Sequence, residues 1–249
     1  KSVTSSGALA RACRSYLEKR ERIRHLELVE EAKKSEEAAD AVLERIERAQ
    51  VPSAWGPDEK ARFLSLLREQ EETLAAKGFR RLSKWFWGEI ERFFGTSNRR
   101  FRRWVARVGR QAGKSTTVLR ILVCWGLSGM WRISPEDVAV IPIVSVRKED
   151  AEKRISSITV LLDALGVRNH PSTQKVEVPH LRLTFVAQAA SVAASVGGTA
   201  IAIFGDEMAH WESRETHANP AKQVMAALRP SLAAQPLAFE IDMSAPWGT

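Results

Sequence analysis

Apolar residues at helical spacing predict three helices in the first third of the chain. Residues 16–50 carry charges of alternating sign and only a thin apolar stripe, which fits either a solvated helix or hairpin, or a helix that docks on a partner protein. A second helix begins at Pro57, where the fixed φ of proline suits the first helical position, and ends at Gly78. A third follows from Leu82 to Gly95.

Beyond residue 101 the period changes, and short apolar runs alternate with helical spacing. A nearly continuous β-branched run, Val138–Val146, predicts a strand buried on both faces, although Pro142 sits awkwardly at its centre. The remaining predicted elements are a helix at 148–165, a hairpin of 174–178 and 181–186 inserted before the next core strand, a strand at 201–204, a helix at 220–228 and a strand at 237–243. Such alternation implies an α/β fold with a mostly parallel sheet and right-handed crossovers.

Composition limits the classes of function. The chain has 249 residues, 44% hydrophobic and 27% charged, which is enough for one large domain and an appendage. Its net charge of +8 suits a polyanionic partner, although a merely soluble surface also fits. Cys13 and Cys124 lack metal-ligand spacing, and no apolar run is long enough to span a bilayer. We therefore expect a cytoplasmic protein without a disulfide or zinc site.

Aromatic and basic residues are interleaved between Arg80 and Arg107. Arginines beside tryptophans can grip a phosphate backbone or stack on a base, including the adenine of a nucleotide. A basic surface whose tryptophans pack inward fits equally well. The residues concerned are Arg80, Arg81, Lys84, Trp85, Trp87, Arg99, Arg100, Arg102, Arg103, Trp104 and Arg107.

Residues 101–119, FRRWVARVGRQAGKSTTVL, have the pattern of strand, phosphate-binding loop and helix. The first glycine of the usual motif is replaced by Val108, with Gly109 one place later. Lys114 is suited to contact the β- and γ-phosphates, and the Ser115 hydroxyl can hold Mg²⁺. The predicted nucleotide-binding residues are Gly109, Arg110, Gln111, Ala112, Gly113, Lys114, Ser115 and Thr116.

A buried strand is predicted at Ile201–Phe204. Gly205 ends it, and two acids, Asp206 and Glu207, follow directly. At the carboxyl edge of a parallel sheet they would face the phosphate loop. Asp206 is predicted to hold the Mg²⁺ shell and Glu207 to orient or deprotonate the attacking water. His210 fits a γ-phosphate sensor or a structural hydrogen-bonding role.

The last predicted strand runs into Ser244, Ala245 and Pro246. A hydroxyl at the tip of a strand beside the phosphate-loop strand can sense the γ-phosphate and pass on its loss. A capped turn is the alternative.

The chain resembles the ATPase domain of the large terminase subunit, the motor that packages DNA in tailed bacteriophages and related viruses. The resemblance lies in GRQAGKST, in Asp206-Glu207 followed by Met208-Ala209-His210-Trp211, and in LRPSLAAQPLAFEIDMSAP, and extends from about Phe79 to the end. It implies a P-loop NTPase of the ASCE/RecA-like type for residues 79–249. In such a domain Arg110 contacts the γ-phosphate, Glu207 is the catalytic carboxylate and Ser244 begins the coupling motif. Residues 1–78 fall outside the resemblance, and their pattern predicts an N-terminal helical subdomain.

That resemblance also implies ATP and Mg²⁺ as cofactors. The expected partners are double-stranded DNA, the portal protein, the small terminase subunit and further copies in a ring on the portal, with a monomer as the alternative in isolation. The protein would act in the host cytoplasm, transiently bound to the procapsid, with no membrane partner.

Two departures from the family follow from the sequence. Members often carry a trans-acting arginine before the glycine of the loop that precedes the acids, whereas this loop reads Ser195-Val196-Gly197-Gly198, which leaves Arg214 or Arg229 as candidates. The chain also ends too early, at Thr249, to contain the nuclease domain of large terminases, so we expect a fragment.

Two other classes stay open at this point. One is a helicase-type DNA-dependent ATPase that uses the same sheet. The other is a non-enzymatic portal or nucleic-acid adaptor with a vestigial nucleotide site, which the intact Lys114, Ser115, Asp206 and Glu207 argue against.

Overall fold

A computed structural model describes residues 56–95, 102–109, 111–190, 197–211 and 220–246. The helix predicted over residues 16–50 lies outside the described residues, as do Arg110 and Arg214. Every described residue belongs to a single compact unit. None of the helices in this part of the chain has the length and apolar character that crossing a membrane requires.

The helices and strands follow the predicted order. The helices are α1 (Pro57–Ala76), α2 (Lys84–Gly95), α3 (Lys114–Leu127), α4 (Lys148–Ala164) and α5 (Ala221–Leu228). The strands are β1 (Arg102–Arg107), β2 (Ala139–Ser145), β3 (His170–Pro171), β4 (Lys175–Val178), β5 (Leu183–Ala189), β6 (Thr199–Ala200), β7 (Ala202–Asp206) and β8 (Phe239–Ser244).

The strands form one mostly parallel sheet in the order β1-β8-β7-β2-β5-β4-β3, with β6 also paired to β2. Strands β1, β8, β7, β2 and β5 run parallel, and β4 and β3 add an antiparallel edge. Helices flank this sheet, so the predicted α/β class is confirmed. The consequence for function is that β8 lies between β1, which precedes the phosphate loop, and β7, which ends in the acids.

The predicted hairpin is present, but its place in the sheet differs from the prediction. Its second arm, β5, does not precede the next core strand; it is itself a core strand, paired parallel to β2 along seven residues from Leu183 to Ala189. The first arm, β4, pairs antiparallel to β5 and continues the sheet outward.

Pro142 is accommodated because β2 has a break in its pairing at that position. On one side, β2 pairs with β6 at Ala139 and Val140, and next with β7 at Ile143 and Val144. Alternate residues of a strand direct their amides to the same neighbour. The carbonyl of Val140 accepts from Ile201 on this side, so the missing N–H of Pro142 falls between the two paired segments.

Helix α1 packs on α3 through buried polar and aromatic contacts. Arg120 Nη1 lies 2.7 Å from both carboxylate oxygens of Glu71, and Gln70 Nε2 donates to the Arg120 carbonyl at 2.9 Å. The ring of Phe63 meets Trp125 edge-on at 6.3 Å. The domain boundary predicted after residue 78 stays a prediction.

Candidate functional site

The loop between β1 and α3 has the conformation that its glycines permit. Gly113 caps α3 with φ +86°, a region that L side chains rarely adopt, and Gln111 also has a positive φ of 60°. The Gly113 carbonyl accepts from both the amide and the hydroxyl of Thr117, at 2.9 Å each. The predicted strand, loop and helix are therefore all present, with Lys114, Ser115 and Thr116 in the first turn of α3, where free backbone amides favour an anion.

Two cavities flank this loop. The first, of about 380 Å³, is lined by Gln111, Lys114, Val146, Glu207 and His210. The second, of about 360 Å³, is lined by Arg80, Arg81, Leu82, Ser83, Phe86, Gln111, Ala112, Gly113, Thr116 and Thr117. Since Gln111 borders both, the loop separates the cavity that holds Lys114, Glu207 and His210 from the cavity walled by the segment that leads into α2.

Glu207 reaches the phosphate loop directly. Its carboxylate Oε1 lies 2.5 Å from Lys114 Nζ, and Lys114 is buried while the Glu207 side chain is 29% exposed. Glu207 has φ 56° and ψ 40°, so the chain turns sharply after Asp206. That left-handed turn separates the two acids: Asp206 stays buried at the end of β7, and Glu207 lines the first cavity.

Electrostatics keep Glu207 ionised. Partial burial would raise the pKa of its carboxyl, but the Lys114 ammonium and the Ala245 amide outweigh burial, so the pKa lies below its ordinary value. His210 Nε2 stands 3.8 Å from Glu207 Oε2. A carboxylate that is ionised at neutral pH can accept a proton or orient a water molecule.

Asp206 has a partner that the sequence prediction missed. Its Oδ2 accepts a hydrogen bond of 2.8 Å from Arg154 Nε, on α4, while its buried Oδ1 has no hydrogen-bond partner among the described residues. Burial raises the pKa of Asp206 against the opposing effect of Arg154. The signal was present in the sequence, because Arg154 falls on the apolar face of its helix with Ala151, Ile155 and Ile158.

The predicted coupling residues contact the acids at the tip of β8. Ser244 pairs with Arg107 of β1, and its carbonyl accepts from the Val108 amide at 2.9 Å. The Ser244 hydroxyl accepts from the Ala209 amide at 3.2 Å. The Ala245 amide donates to Glu207 Oε2 at 2.8 Å, and Pro246 follows as the last described residue. The hydroxyl thus lies beside the phosphate-loop strand, as predicted.

Mg²⁺ fits these residues in the form that accompanies a nucleotide. Among the described residues no group of three or more His, Cys, Asp or Glu side chains could hold a metal ion alone. Mg²⁺ bound with a nucleotide typically uses one or two protein oxygens, phosphate oxygens and water. The unpartnered Oδ1 of Asp206 and the Ser115 hydroxyl, in the first turn of α3, supply such oxygens.

The basic and aromatic segment between Arg80 and Arg107 has some tryptophans packed inward and others at the surface. Trp104 is buried and stacks on Phe93 with ring centroids 5.5 Å apart. Trp85 is 54% exposed, and the Arg68 guanidinium lies 5.5 Å from the Trp87 ring. Only part of the segment therefore presents aromatic surface outward.

One candidate for a trans-acting arginine is held within its own chain. Arg229 makes two hydrogen bonds to the buried Glu240, Nε to Oε2 at 2.7 Å and Nη2 to Oε1 at 2.9 Å. Because Glu240 is fully buried, releasing Arg229 would break both bonds and leave the carboxylate with Arg103 as its cationic partner, whose Nε lies 2.7 Å from Oε1. Arg229 is therefore poorly suited to reach a neighbouring subunit.

The mostly parallel sheet, with a lysine-bearing loop and consecutive acids at one edge, has the fold class of a P-loop NTPase. Two solved structures similar to the chain come from the family that the sequence motifs indicate. The HK97 bacteriophage large terminase has a TM-score of 0.48 and 16% identity, over 66% of this chain and 33% of that chain. An ATPase-domain mutant of the Thermus phage P74-26 large terminase has a TM-score of 0.46 and 17% identity, over 78% of this chain and 71% of that chain.

The matched part of the chain thus covers about a third of the length of the HK97 protein. No family model matches the chain, and no curated protein matches it.

Proposed function

We propose that this chain is an ATPase that binds ATP with Mg²⁺ at the loop of residues 109–116 and hydrolyses it. The observation that carries the proposal is the 2.5 Å contact between Lys114 Nζ and Glu207 Oε1. It joins the lysine of a phosphate-binding loop to an ionised carboxylate in a single cavity. A phosphate group and an attacking water need those two side chains at the same place.

Each residue has a distinct part in this reaction. Backbone amides at the start of α3 and the Lys114 ammonium bind the phosphates, and Glu207 orients the water and accepts its proton. Ser115 and Asp206 would hold Mg²⁺, which supplies charge stabilisation on the transferring phosphoryl group. Arg110 remains the proposed γ-phosphate contact.

The second cavity is suited to the nucleoside end of the ligand. It lies across the loop from Glu207, and its wall includes the ring of Phe86 and the side chains of Arg80 and Arg81. An aromatic ring and guanidinium groups can stack on a base. In this arrangement the triphosphate crosses the loop and the γ-phosphate lies beside Glu207.

The wider role we propose is that of the ATPase motor domain of a viral large terminase, which moves double-stranded DNA into a procapsid. Support comes from the sequence motifs, from the contact between Glu207 and the Ser244-Ala245-Pro246 segment, and from the net charge of +8. DNA binding should then be independent of sequence and steeply weakened by salt, because such a surface reads only phosphates. Portal protein, small terminase subunit and a ring of copies are the proposed partners.

Lys114→Ala tests the ATPase proposal. It removes the phosphate-binding charge and should abolish binding of ATP, measured by equilibrium titration of the purified chain. Lys175→Ala is the matched control, because it removes one positive charge from an exposed position at the start of strand β4. Unaltered ATP affinity in the Lys114 variant would contradict the site assignment.

The motor proposal has a separate test. If a neighbouring subunit supplies an arginine, isolated chains should hydrolyse ATP slowly, and turnover should rise with protein concentration, since such arginines contribute on the order of 10³ to 10⁵ in rate. Rapid strand separation without a portal would instead favour a helicase-type ATPase.

A further inference from the structure

The two carboxylate oxygens of Asp206 differ in their hydrogen bonding. Arg154 Nε donates to Oδ2 at 2.8 Å, and Oδ1 is buried without a hydrogen-bond partner among the described residues. The whole residue is only 1% exposed. A buried acceptor without a partner is costly, and a ligand bound at Oδ1 would satisfy it.

Both ends of this ion pair are fixed by the fold. Arg154 projects from α4, whose Ala151, Ile155 and Ile158 are completely buried. The Asp206 main chain is held by the Trp211 indole, which donates to its carbonyl at 2.9 Å, and by pairing with Met243 of β8. The guanidinium is planar and donates in fixed directions, so its bond to Oδ2 also constrains the plane of the carboxylate.

We propose that Arg154 is a positioning residue that orients the Asp206 carboxylate, so that Oδ1 serves the Mg²⁺ shell of the bound nucleotide. This inference rests on the proposed ATPase function. Arg154 and the metal use different oxygens, so Arg154 stays in place when the metal is bound. Mutation of outer-shell partners of this kind typically lowers metal affinity by about 10-fold to 100-fold.

A competing account makes the opposite prediction. If Arg154 merely neutralised Asp206 until Mg²⁺ arrived, it would compete with the metal, and its removal would tighten Mg²⁺ binding. The sign of the change in Mg²⁺ affinity therefore separates positioning from competition.

The experiment is a Mg²⁺ titration of the binding of a fluorescent ATP analogue to the full chain, without any measurement of turnover. Arg154→Met removes the donor while keeping an unbranched side chain, and should raise the Mg²⁺ concentration at half-maximal binding about tenfold. Binding of the analogue in excess chelator should change less than about threefold, since Lys114 and the loop amides are untouched.

Two further variants make the result interpretable. Arg154→Lys keeps the charge and the fold but loses the planar donor, so its Mg²⁺ midpoint should lie between the wild-type and Met values. Lys153→Met removes a charge from the adjacent exposed position, where Lys153 pairs with Asp150, and should leave the midpoint unchanged.

An unchanged or lowered midpoint in both Arg154 variants, with normal analogue binding by the wild type, would overturn the positioning role alone. Failure of the wild type to bind the analogue would instead overturn the ATPase proposal, and this inference with it.

Discussion

The main-chain amide of Ala245 donates a hydrogen bond of 2.8 Å to Oε2 of Glu207. The other carboxylate oxygen meets Lys114, so Glu207 stands between the phosphate loop and the end of β8. In the proposed reaction, phosphates would draw on the Lys114 charge and change the balance of forces on Glu207, which would keep its bond to Ala245. The acid proposed to orient the water is therefore in direct contact with the residues proposed to report hydrolysis.

Replacing Glu207 with Gln should separate binding from catalysis. The amide keeps the shape of the side chain and still accepts from Ala245, but it cannot take a proton from water. We expect ATP affinity within a few-fold of wild type and a loss of roughly 10² or more in turnover. Equilibrium binding measures the ATP affinity and single-turnover hydrolysis measures the rate, both on the same preparation. Full ATPase activity in this variant would mean that another residue positions the water.

The buried Glu71–Arg120 pair should contribute strongly to stability, and its two members should be non-additive. Removing one partner leaves a buried charge, so Arg120→Met or Glu71→Gln should each lower the free energy of unfolding by about 3–5 kcal/mol. The double variant should cost less than the sum of the two, because neither charge is then stranded. Urea unfolding of the three proteins tests this, and additive losses would contradict a coupled pair.

This ion pair also fixes one wall of the second cavity. Arg120 Nη2 donates to the Arg80 carbonyl at 2.7 Å, and Glu71 Oε2 accepts from the Leu82 amide at 3.0 Å. The single variants should therefore weaken ATP more than inorganic triphosphate, which has no base. If the variants weakened the binding of both ligands equally, the proposal that the base lies in this cavity would be contradicted.

Asp242 should give the fold a distinctive dependence on pH. Burial, together with the neighbouring Glu240, raises the pKa of Asp242 to about 8. Between about pH 4 and 8 the folded state then binds the proton more tightly than the unfolded chain, so the free energy of unfolding falls as pH rises, by up to roughly 1.4 kcal/mol per unit. Glu240, whose pKa is lowered, contributes the opposite slope only in more acidic solution.

Asp242→Asn should make this slope shallower, because the amide is neutral at every pH in the window. Asp206, whose pKa burial also raises, keeps a contribution of the same sign. Thermal or urea unfolding at several pH values between 5 and 9 measures it. Glu240→Gln is the contrasting variant, since it removes the buried charge that pairs with Arg229 and Arg103 and keeps one acceptor oxygen in place of two, and it should be destabilising throughout. A slope in Asp242→Asn as steep as that of the wild type would contradict the assignment to Asp242.

Gly205 should tolerate no side chain. A Cβ atom there would lie 2.7 Å from Met208 Sδ and 2.8 Å from Asp242 Oδ1. We expect Gly205→Ala to cost about 1–3 kcal/mol of stability through overpacking, as measured by urea unfolding. Gly88→Ala is the control, because that exposed helical position has open space and should gain up to about 1 kcal/mol.

Local patterns predicted most of the helices and strands, because the spacing of apolar residues and the positions of glycine and proline act over short stretches of sequence. The run at 138–146 and the helix at 148–165 were found within two residues of their observed ends. The acids beside the phosphate loop followed from the rule that parallel strands share a carboxyl edge.

Long-range contacts were beyond the reach of such patterns. Glu71 and Arg120 lie 49 residues apart, and although Arg120 stands inside the apolar run from Val118 to Val123, its partner is visible only once the two helices pack. The role of β5 was missed because a hairpin arm and a core strand have the same alternation, and only the pairing partner distinguishes them. Arg154 carried a similar sign, a charge within an apolar stripe.

Strand β8 also sets a length. With β8 between them, β1 and β7 are two strand spacings apart, about 10 Å at roughly 4.8 Å each. Across this interval lie the loop that would take phosphate and the carboxylate that would take water. Main-chain hydrogen bonds between neighbouring strands set this distance. Side-chain changes along β8 can therefore alter the chemistry at the loop or at the carboxylate without altering the distance between them.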